Sequence, residues 1–227
     1  MIWSQSRIVQ PNEKLRPRRK QKISVVTIPA GAGRGRSIRS VMGNKNPKSI
    51  IGLKRGTVEL FRYNPKWKQG FRREAKKIKK IFGKDALDIQ HVGSTAIPGI
   101  LAKPIVDIAL IVQSLQKTKR RGKKLREIGY EIKKNDTKKG RLFFTKGPEE
   151  KRTHYLHVGE VGSGYAEDMI LFRDYLRKHK GAARTYSLLK EKLVRKYAGI
   201  RGIYTAKKEK LIKEMIGKAK KSLHAPE

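Results

Sequence analysis

A single acid, Asp107, lies inside an otherwise apolar segment, PIVDIALIV (residues 104–112). A carboxylate in such a segment costs free energy unless it is paired, hydrogen-bonded or bound to a metal ion. Shortly before it, Gly93 and Ser94 form a turn whose backbone N–H groups and hydroxyl could bind a phosphate, and a following helix N-terminus would add a favourable dipole. The spacing therefore predicts a nucleotide site in which Asp107 holds Mg²⁺ against the phosphates and Ser94 contacts them.

Basic and aromatic side chains farther along the chain could complete such a site. Arg173 and Arg177 are four residues apart on one face of a predicted helix, so their guanidinium groups could clamp a phosphate. On the next helix Tyr186 could stack on a base beside Lys190, or it could be a core residue past which the lysine reaches solvent. Lys103, just before the apolar segment, could also reach a phosphate.

Further candidates could complete a metal shell around Asp107. His157 and Glu160 belong to one predicted strand and are three residues apart, so they face opposite sides and at most one can reach the site. For His91 and His157 three roles stay open: transition-metal ligation, a hydrogen bond to a phosphate or to Asp107, and a structural role.

Hydrophobic periodicity indicates the elements that position these residues. Apolar residues recur at three- and four-residue spacing after Pro65, which predicts a helix that ends at Gly83. Strands are predicted at residues 58–63, 87–93, 104–112, 130–135, 141–146 and 153–161. Helices are predicted at residues 114–129, 166–179, 182–198 and 203–222. The order predicts an α+β fold with a sheet half, residues 57–161, and a helical half, residues 166–222.

The composition limits the class of protein. The 227 residues carry a net charge of +38, which attracts polyanions such as RNA, DNA and nucleotides, although a basic proteome could produce the same charge. The absence of cysteine excludes disulfides and cysteine zinc sites and favours a cytoplasmic location. No apolar run approaches the roughly 20 residues that span a bilayer, so we expect no membrane segment.

The first 56 residues hold 14 basic residues and one acid, with several prolines. This composition predicts a disordered basic extension. It could be a nucleic-acid-binding arm or a solvated tail.

Two segments, HVGSTAIPG (residues 91–99) and AKPIVDI (residues 102–108), resemble the GrpB family, which belongs to the nucleotidyltransferase superfamily. Other matching segments are GY (129–130), RLFF (141–144), HYLHV (154–158) and LFRDYLR (171–177), with the pairs Tyr186/Lys190 and Tyr204/Lys207. The resemblance covers residues 58–219. It implies a nucleotidyltransferase-like mixed sheet with flanking helices and a C-terminal helical segment, in a domain at residues 57–222.

The superfamily pattern also implies a chemistry. It places two acids, one residue apart, after the Gly-Ser turn, and a later third acid, to hold two Mg²⁺ ions. This chain has Asp107 but Ala109 at the second acid's position, so efficient two-metal catalysis is not expected. The resemblance implies binding of an NTP or another phosphate-bearing ligand with Mg²⁺, and transfer of a nucleotidyl group to an acceptor. The alternative is a catalytically inactive module that binds RNA or a nucleotide.

Overall fold

The computed structural model of the chain describes residues 51–133 and 140–223. Most of the predicted basic extension, residues 1–50, lies outside this part. Within it, Leu53 is buried and pairs with Arg152 in an isolated β-bridge. The domain boundary at residue 57 stays a prediction, and residues 51–56 contact the folded part of the chain.

Among the described residues, a mixed sheet of five strands forms the centre of the fold. Its strands are β1 Ala86–Val92, β2 Val106–Val112, β3 Tyr130–Ile132, β4 Arg141–Lys146 and β5 His154–Glu160. They lie in the order β1-β2-β5-β4-β3, in which β2 and β5 are parallel and the other neighbours are antiparallel. Strand β2 therefore has a partner on both sides, as a segment that is apolar on both faces predicts.

In the described ranges, six α-helices surround the sheet. They are α1 Lys66–Phe82, α2 Leu115–Arg120, α3 Gly122–Glu127, α4 Tyr165–Lys178, α5 Lys180–Tyr197 and α6 Arg201–Leu223. Helices α1 and α3 cover the sheet face of Ile108, while α4 covers the face of Asp107, with Ala166 against Ala109. Helices α5 and α6 pack beside α4. The predicted α+β fold, with its mixed sheet and C-terminal helices, is confirmed.

No helix in the described part of the chain is both long and apolar enough to cross a membrane.

Two sequence predictions about elements are wrong. Residues 58–63 form no strand of the sheet, and Phe61 makes only an isolated β-bridge with Ala102. The reason is that Val58 and Leu60 pack in a hydrophobic cluster with residues of α5 and α6. The single helix predicted at residues 114–129 is divided at Arg121, whose guanidinium donates to the carbonyl of Ile81 and pairs with Asp85.

Two buried histidines, His91 and His154, should make the stability of the folded protein decrease in acid. Burial lowers the pKa of His91 and of His154 to about 4, which outweighs the opposite effects of Asp107 and Glu74. In the unfolded chain both would take up a proton near pH 6.5. The unfolded state therefore binds more protons than the folded state between pH 6.5 and 4. The free energy of unfolding thus falls as the pH is lowered through this window.

We expect a loss of up to about 3 kcal/mol per histidine, read from urea unfolding curves between pH 7 and pH 4. The variant His154→Gln should flatten the pH dependence, whereas His179→Gln, at an exposed position, should not. Equal pH profiles for the wild type and His154→Gln would contradict this account.

Candidate functional site

The turn that joins β1 to β2 brings its backbone against the acid of β2. Gly93 has φ of +70°, and Val92 pairs with Asp107 in the antiparallel register. A Cβ atom built on Gly93 would lie 2.4 Å from Asp107 Oδ2. Only glycine therefore allows this carboxylate to lie against the turn. The 3₁₀ helix that follows, Ser94–Ala96, has three residues and so supplies no helix dipole of the kind predicted.

The carboxylate of Asp107 is bound by a histidine of the neighbouring strand. His157 Nε2 lies 3.2 Å from Asp107 Oδ1, and His157 Nδ1 lies 2.7 Å from the hydroxyl of Tyr165 at the start of α4. Both ring nitrogens of His157 thus have a polar partner, and Nε2 donates to the carboxylate. Burial would raise the pKa of Asp107, but the hydrogen bond and the electrostatic interaction with His157, together with the charges of Lys103 and Arg201, lower it further than burial raises it.

A buried lysine of α5 lies behind the turn. Lys190 is 1% exposed, and its Nζ donates to Ser94 Oγ (3.1 Å) and to the carbonyl of Leu101. The same ammonium lies 4.6 Å from the ring centroid of Tyr186. Burial lowers the pKa of Lys190 well below its usual value, and the neighbouring charges of Lys208 and Lys103 add to this effect. Ser94 and Lys190, both predicted as phosphate ligands, are therefore hydrogen-bonded neighbours.

Two more lysines approach from the chain before β2 and from α6. Lys103 Nζ lies 5.8 Å and Lys208 Nζ lies 4.4 Å from the ring centroid of buried Tyr204. Burial lowers the pKa of Lys208 to about 8 and that of Lys103 well below its usual value, and Arg201 lowers both, whereas Asp107 raises both. These interactions place Asp107 among three cations: Lys103, Arg201 and Lys208.

The charges in this cluster do not balance. With every lysine protonated, Lys103, Lys190, Arg201 and Lys208 would contribute four positive charges, whereas the acids that raise the lysine pKa values are only Asp107 for Lys103 and Lys208, and Glu191 for Lys190. In the part of the chain that the structure describes, none of the three lysines forms a salt bridge. Buried cations without matching anions are costly. The arrangement therefore favours an anionic ligand.

The same residues do not fit a magnesium ion. Ala109 is fully buried against Ala166 of α4, so the place of a second acid is filled by packing. Glu160 pairs with Val112, five residues along β2 from Asp107, which is about 16 Å. No group of three metal-binding side chains occurs among the described residues. A lone carboxylate among cations is a poor site for Mg²⁺, so the magnesium remains an expectation from the resemblance.

The two arginines of α4 bind the turn itself. Arg173 is 6% exposed and donates to the carbonyl of His91 (2.9 Å) and to Gln90 Oε1 (2.8 Å). Arg177 donates to the carbonyl of Ala96 from Nε and Nη2 (3.1 and 2.8 Å). Both also pair with Asp174. Their donors are engaged in holding the turn, and the phosphate clamp predicted for them stays a prediction.

The aromatic and histidine candidates have separate positions. Tyr186 is 4% exposed and packs edge-on against Phe172, so no open ring face is left for the predicted stacking on a base. His91 stacks on Phe71 of α1, and His154 interacts with Glu74 of the same helix. Both are thus separated by the sheet from His157, which lies on the face of Asp107.

A cleft of about 710 Å³ opens beside His157. Its aromatic lining comes from Phe143, Tyr155 and Tyr165, and its cations include Arg141 and Arg201. The Arg201 guanidinium lies 5.2 Å from the ring centroid of Tyr155. Arg201 therefore links this cleft to the lysines around Asp107.

Sequence reasoning missed Arg201, Lys208 and Tyr165. Arg201, Tyr204 and Lys208 follow at spacings of three and four residues, which places them on one helical face, and this pattern could have revealed them. The resemblance indicated Lys207 instead, which is exposed, whereas Lys208 is buried.

Both the sequence and the fold of this chain match known proteins. The profile of the family described as GrpB protein matches residues 57–218. The UPF0157 protein YqkA of Bacillus subtilis is 40% identical over 136 residues, which are 60% of this chain and 39% of YqkA. The crystal structure of the conserved protein GrpB from Enterococcus faecalis is 32% identical, with a TM-score of 0.68, and the match covers 73% of this chain and 99% of that one. A partial likeness in fold to the Cid1 poly(U) polymerase has a TM-score of 0.42 at 13% identity, over 59% of this chain and 44% of that one.

Proposed function

This chain belongs to the GrpB family, and from that premise we propose that it binds the phosphate groups of a nucleotide at the lysines around Asp107. The observation that carries the proposal is the convergence of four basic side chains around the turn and Asp107: Lys190 and Lys208, which are buried, and Lys103 and Arg201, which are partly buried. A phosphate group would supply the missing negative charge and accept hydrogen bonds from several ammonium groups at once. The proposal covers binding and no nucleotidyl transfer, because Ala109 takes the place of the second acid.

The surroundings of the lysines support a nucleotide rather than free phosphate. Ser94 and Lys190 lie on the side of the turn, while Arg201 leads to the cleft lined by Phe143, Tyr155 and Tyr165. Phosphates next to the lysines would thus leave the nucleoside in a cleft with aromatic walls, where a base can stack. The cleft volume of about 710 Å³ lies within the range of small-molecule sites.

Removing one buried lysine tests the site. The variant Lys208→Met keeps the length of the side chain and removes its charge, so we expect ATP affinity without Mg²⁺ to fall about tenfold or more. The matched control is Lys213→Met on the same helix, because Lys213 is exposed and pairs with Glu209. Isothermal titration calorimetry with ATP, triphosphate and adenosine would separate phosphate from nucleoside binding.

The pH dependence of the same titration gives a second readout. Burial lowers the pKa of Lys208 to about 8, so the lysine that must be charged to bind phosphate loses its proton as the pH rises above 8. We expect wild-type affinity to weaken between pH 7 and pH 9 and that of Lys208→Arg to weaken less, since arginine stays charged. An unchanged ATP affinity in Lys208→Met, or no ATP binding by the wild type, would refute the site.

A further inference from the structure

A second cleft, of about 1060 Å³, lies between α1, the turn after β1, and helices α4 and α5. Asp107 and the lysines Lys103, Lys190 and Lys208 do not line it. The phosphate site therefore leaves this cleft without a role. Its volume lies at the upper end of the range of small-molecule sites, so it has room for an extended ligand.

The rim of this cleft is strongly basic. Lys68 and Arg72 of α1 stand across from Lys180 and Arg184 of α5, and all four are exposed. None of them forms a salt bridge with a carboxylate in the part of the chain that the structure describes. The one acid in the lining is Glu191. Two helices thus present unneutralised cations to the same space, which attracts a polyanion.

The floor of the cleft is apolar and aromatic. Phe71 is half-buried and its ring is parallel to that of His91 at 5.0 Å, and half-buried Tyr63 packs edge-on against Trp67. Leu188 is 54% exposed at the cleft. The aromatic rings are thus held in place by their neighbours. Fixed rings below cations suit a ligand in which flat bases alternate with phosphates.

We propose that this cleft binds a single-stranded nucleic acid. Its phosphates would contact Lys68, Arg72, Lys180 and Arg184, and an unpaired base would stack on Tyr63. A duplex presents its phosphates on a convex surface with its bases paired, so it cannot place a base on the floor of the cleft. An acidic peptide could meet the rim, but it has no flat groups to cover the aromatic floor.

The test compares variants of equal charge. The double variant Arg72→Ala/Arg184→Ala removes two cations of the rim, and the control Lys117→Ala/Lys124→Ala removes two exposed cations of α2 and α3. We expect the first to weaken binding of a labelled 12-mer RNA single strand about tenfold or more, and to lower the salt slope by about 1.4. The control should change affinity about twofold or less. Fluorescence anisotropy of the full chain over a salt series measures both quantities.

A second variant examines the floor. Tyr63→Ala should weaken binding of the RNA strand about fivefold or more and leave binding of inorganic polyphosphate unchanged. DNA and RNA single strands in parallel show whether the sugar matters, and either preference fits the proposal. Equal loss in the cleft and control variants, or equal affinity for a duplex or for polyglutamate, would overturn it. ATP affinity should be unchanged in Arg72→Ala/Arg184→Ala, which separates this site from the phosphate site.

Discussion

Replacing Asp107 with asparagine is expected to strengthen ATP binding in the absence of Mg²⁺ by about tenfold. The asparagine keeps the shape of the side chain and can still accept a hydrogen bond from His157, but it no longer repels the phosphates. The free protein should lose about 1–3 kcal/mol of stability, because Lys103, Lys208 and Arg201 lose their counter-charge. Calorimetric titration with ATP and urea unfolding measure the two effects.

The opposite outcome would point to a metal-binding carboxylate. If Asp107 held Mg²⁺ in the complex, Asp107→Asn would weaken binding of MgATP and leave binding of metal-free ATP little changed. The control is Asp168→Asn on α4, an acid that pairs with Lys220, and it should alter neither affinity. A gain in affinity with loss of stability is specific to an acid that lies among cations.

Gly93→Ala is expected to be the most damaging single-methyl change near the site. The residue has φ of +70° and ψ of −174°, a conformation that is nearly restricted to glycine and costs other residues about 1–3 kcal/mol. The new Cβ would also meet Asp107 Oδ2 at 2.4 Å, so the carboxylate must move. We expect a total loss of about 3 kcal/mol or more in the free energy of unfolding, together with weaker ATP binding.

Gly99→Ala separates backbone strain from the clash. Gly99 has φ of +82°, and a Cβ there would meet nothing within 4 Å, so this variant should lose only the cost of the backbone conformation. In the double variant Gly93→Ala/Asp107→Ala the contacts with Oδ2 and Cγ are removed and only the contact with Cβ at 3.0 Å stays, so the two losses should not add. Additive losses, or equal losses for Gly93→Ala and Gly99→Ala, would contradict the close approach of turn and carboxylate.

The core elements of the fold could be predicted because hydrophobic periodicity depends only on residues that are close together in the chain. Alternation in β2 correctly placed Asp107 and Ala109 on one face, and this face is the one that α4 covers. The segments around Gly93 and Asp107 resembled the GrpB family, and the family is confirmed. Apolar spacing also predicted helices at α4, α5 and α6 within a few residues of their ends.

The candidate site was harder to predict because its partners are distant in the chain. Arg173 and Arg177 have the spacing of a phosphate clamp, and nothing local reveals that their acceptors are carbonyls 82 and 81 residues upstream. Lys208 is buried and Lys207 exposed because of the rotation of α6 about its axis, which packing against α4 and α5 determines. The proposal of an anionic ligand rests on the cations that gather around Asp107, and periodicity cannot show this gathering.

Most of the cations around the turn and Asp107 belong to α5 and α6, which are synthesised last, and this order affects folding during synthesis. Gly93, Ser94 and Asp107 are synthesised early, whereas Lys190, Arg201 and Lys208 come from α5 and α6. On the ribosome the turn and its carboxylate emerge tens of residues before the charges that surround them. Because Arg173 of α4 also holds the turn, the proposed phosphate site can form in the nascent chain only when the helical half has docked on the sheet. Ligand binding would thus report completed folding of the whole domain.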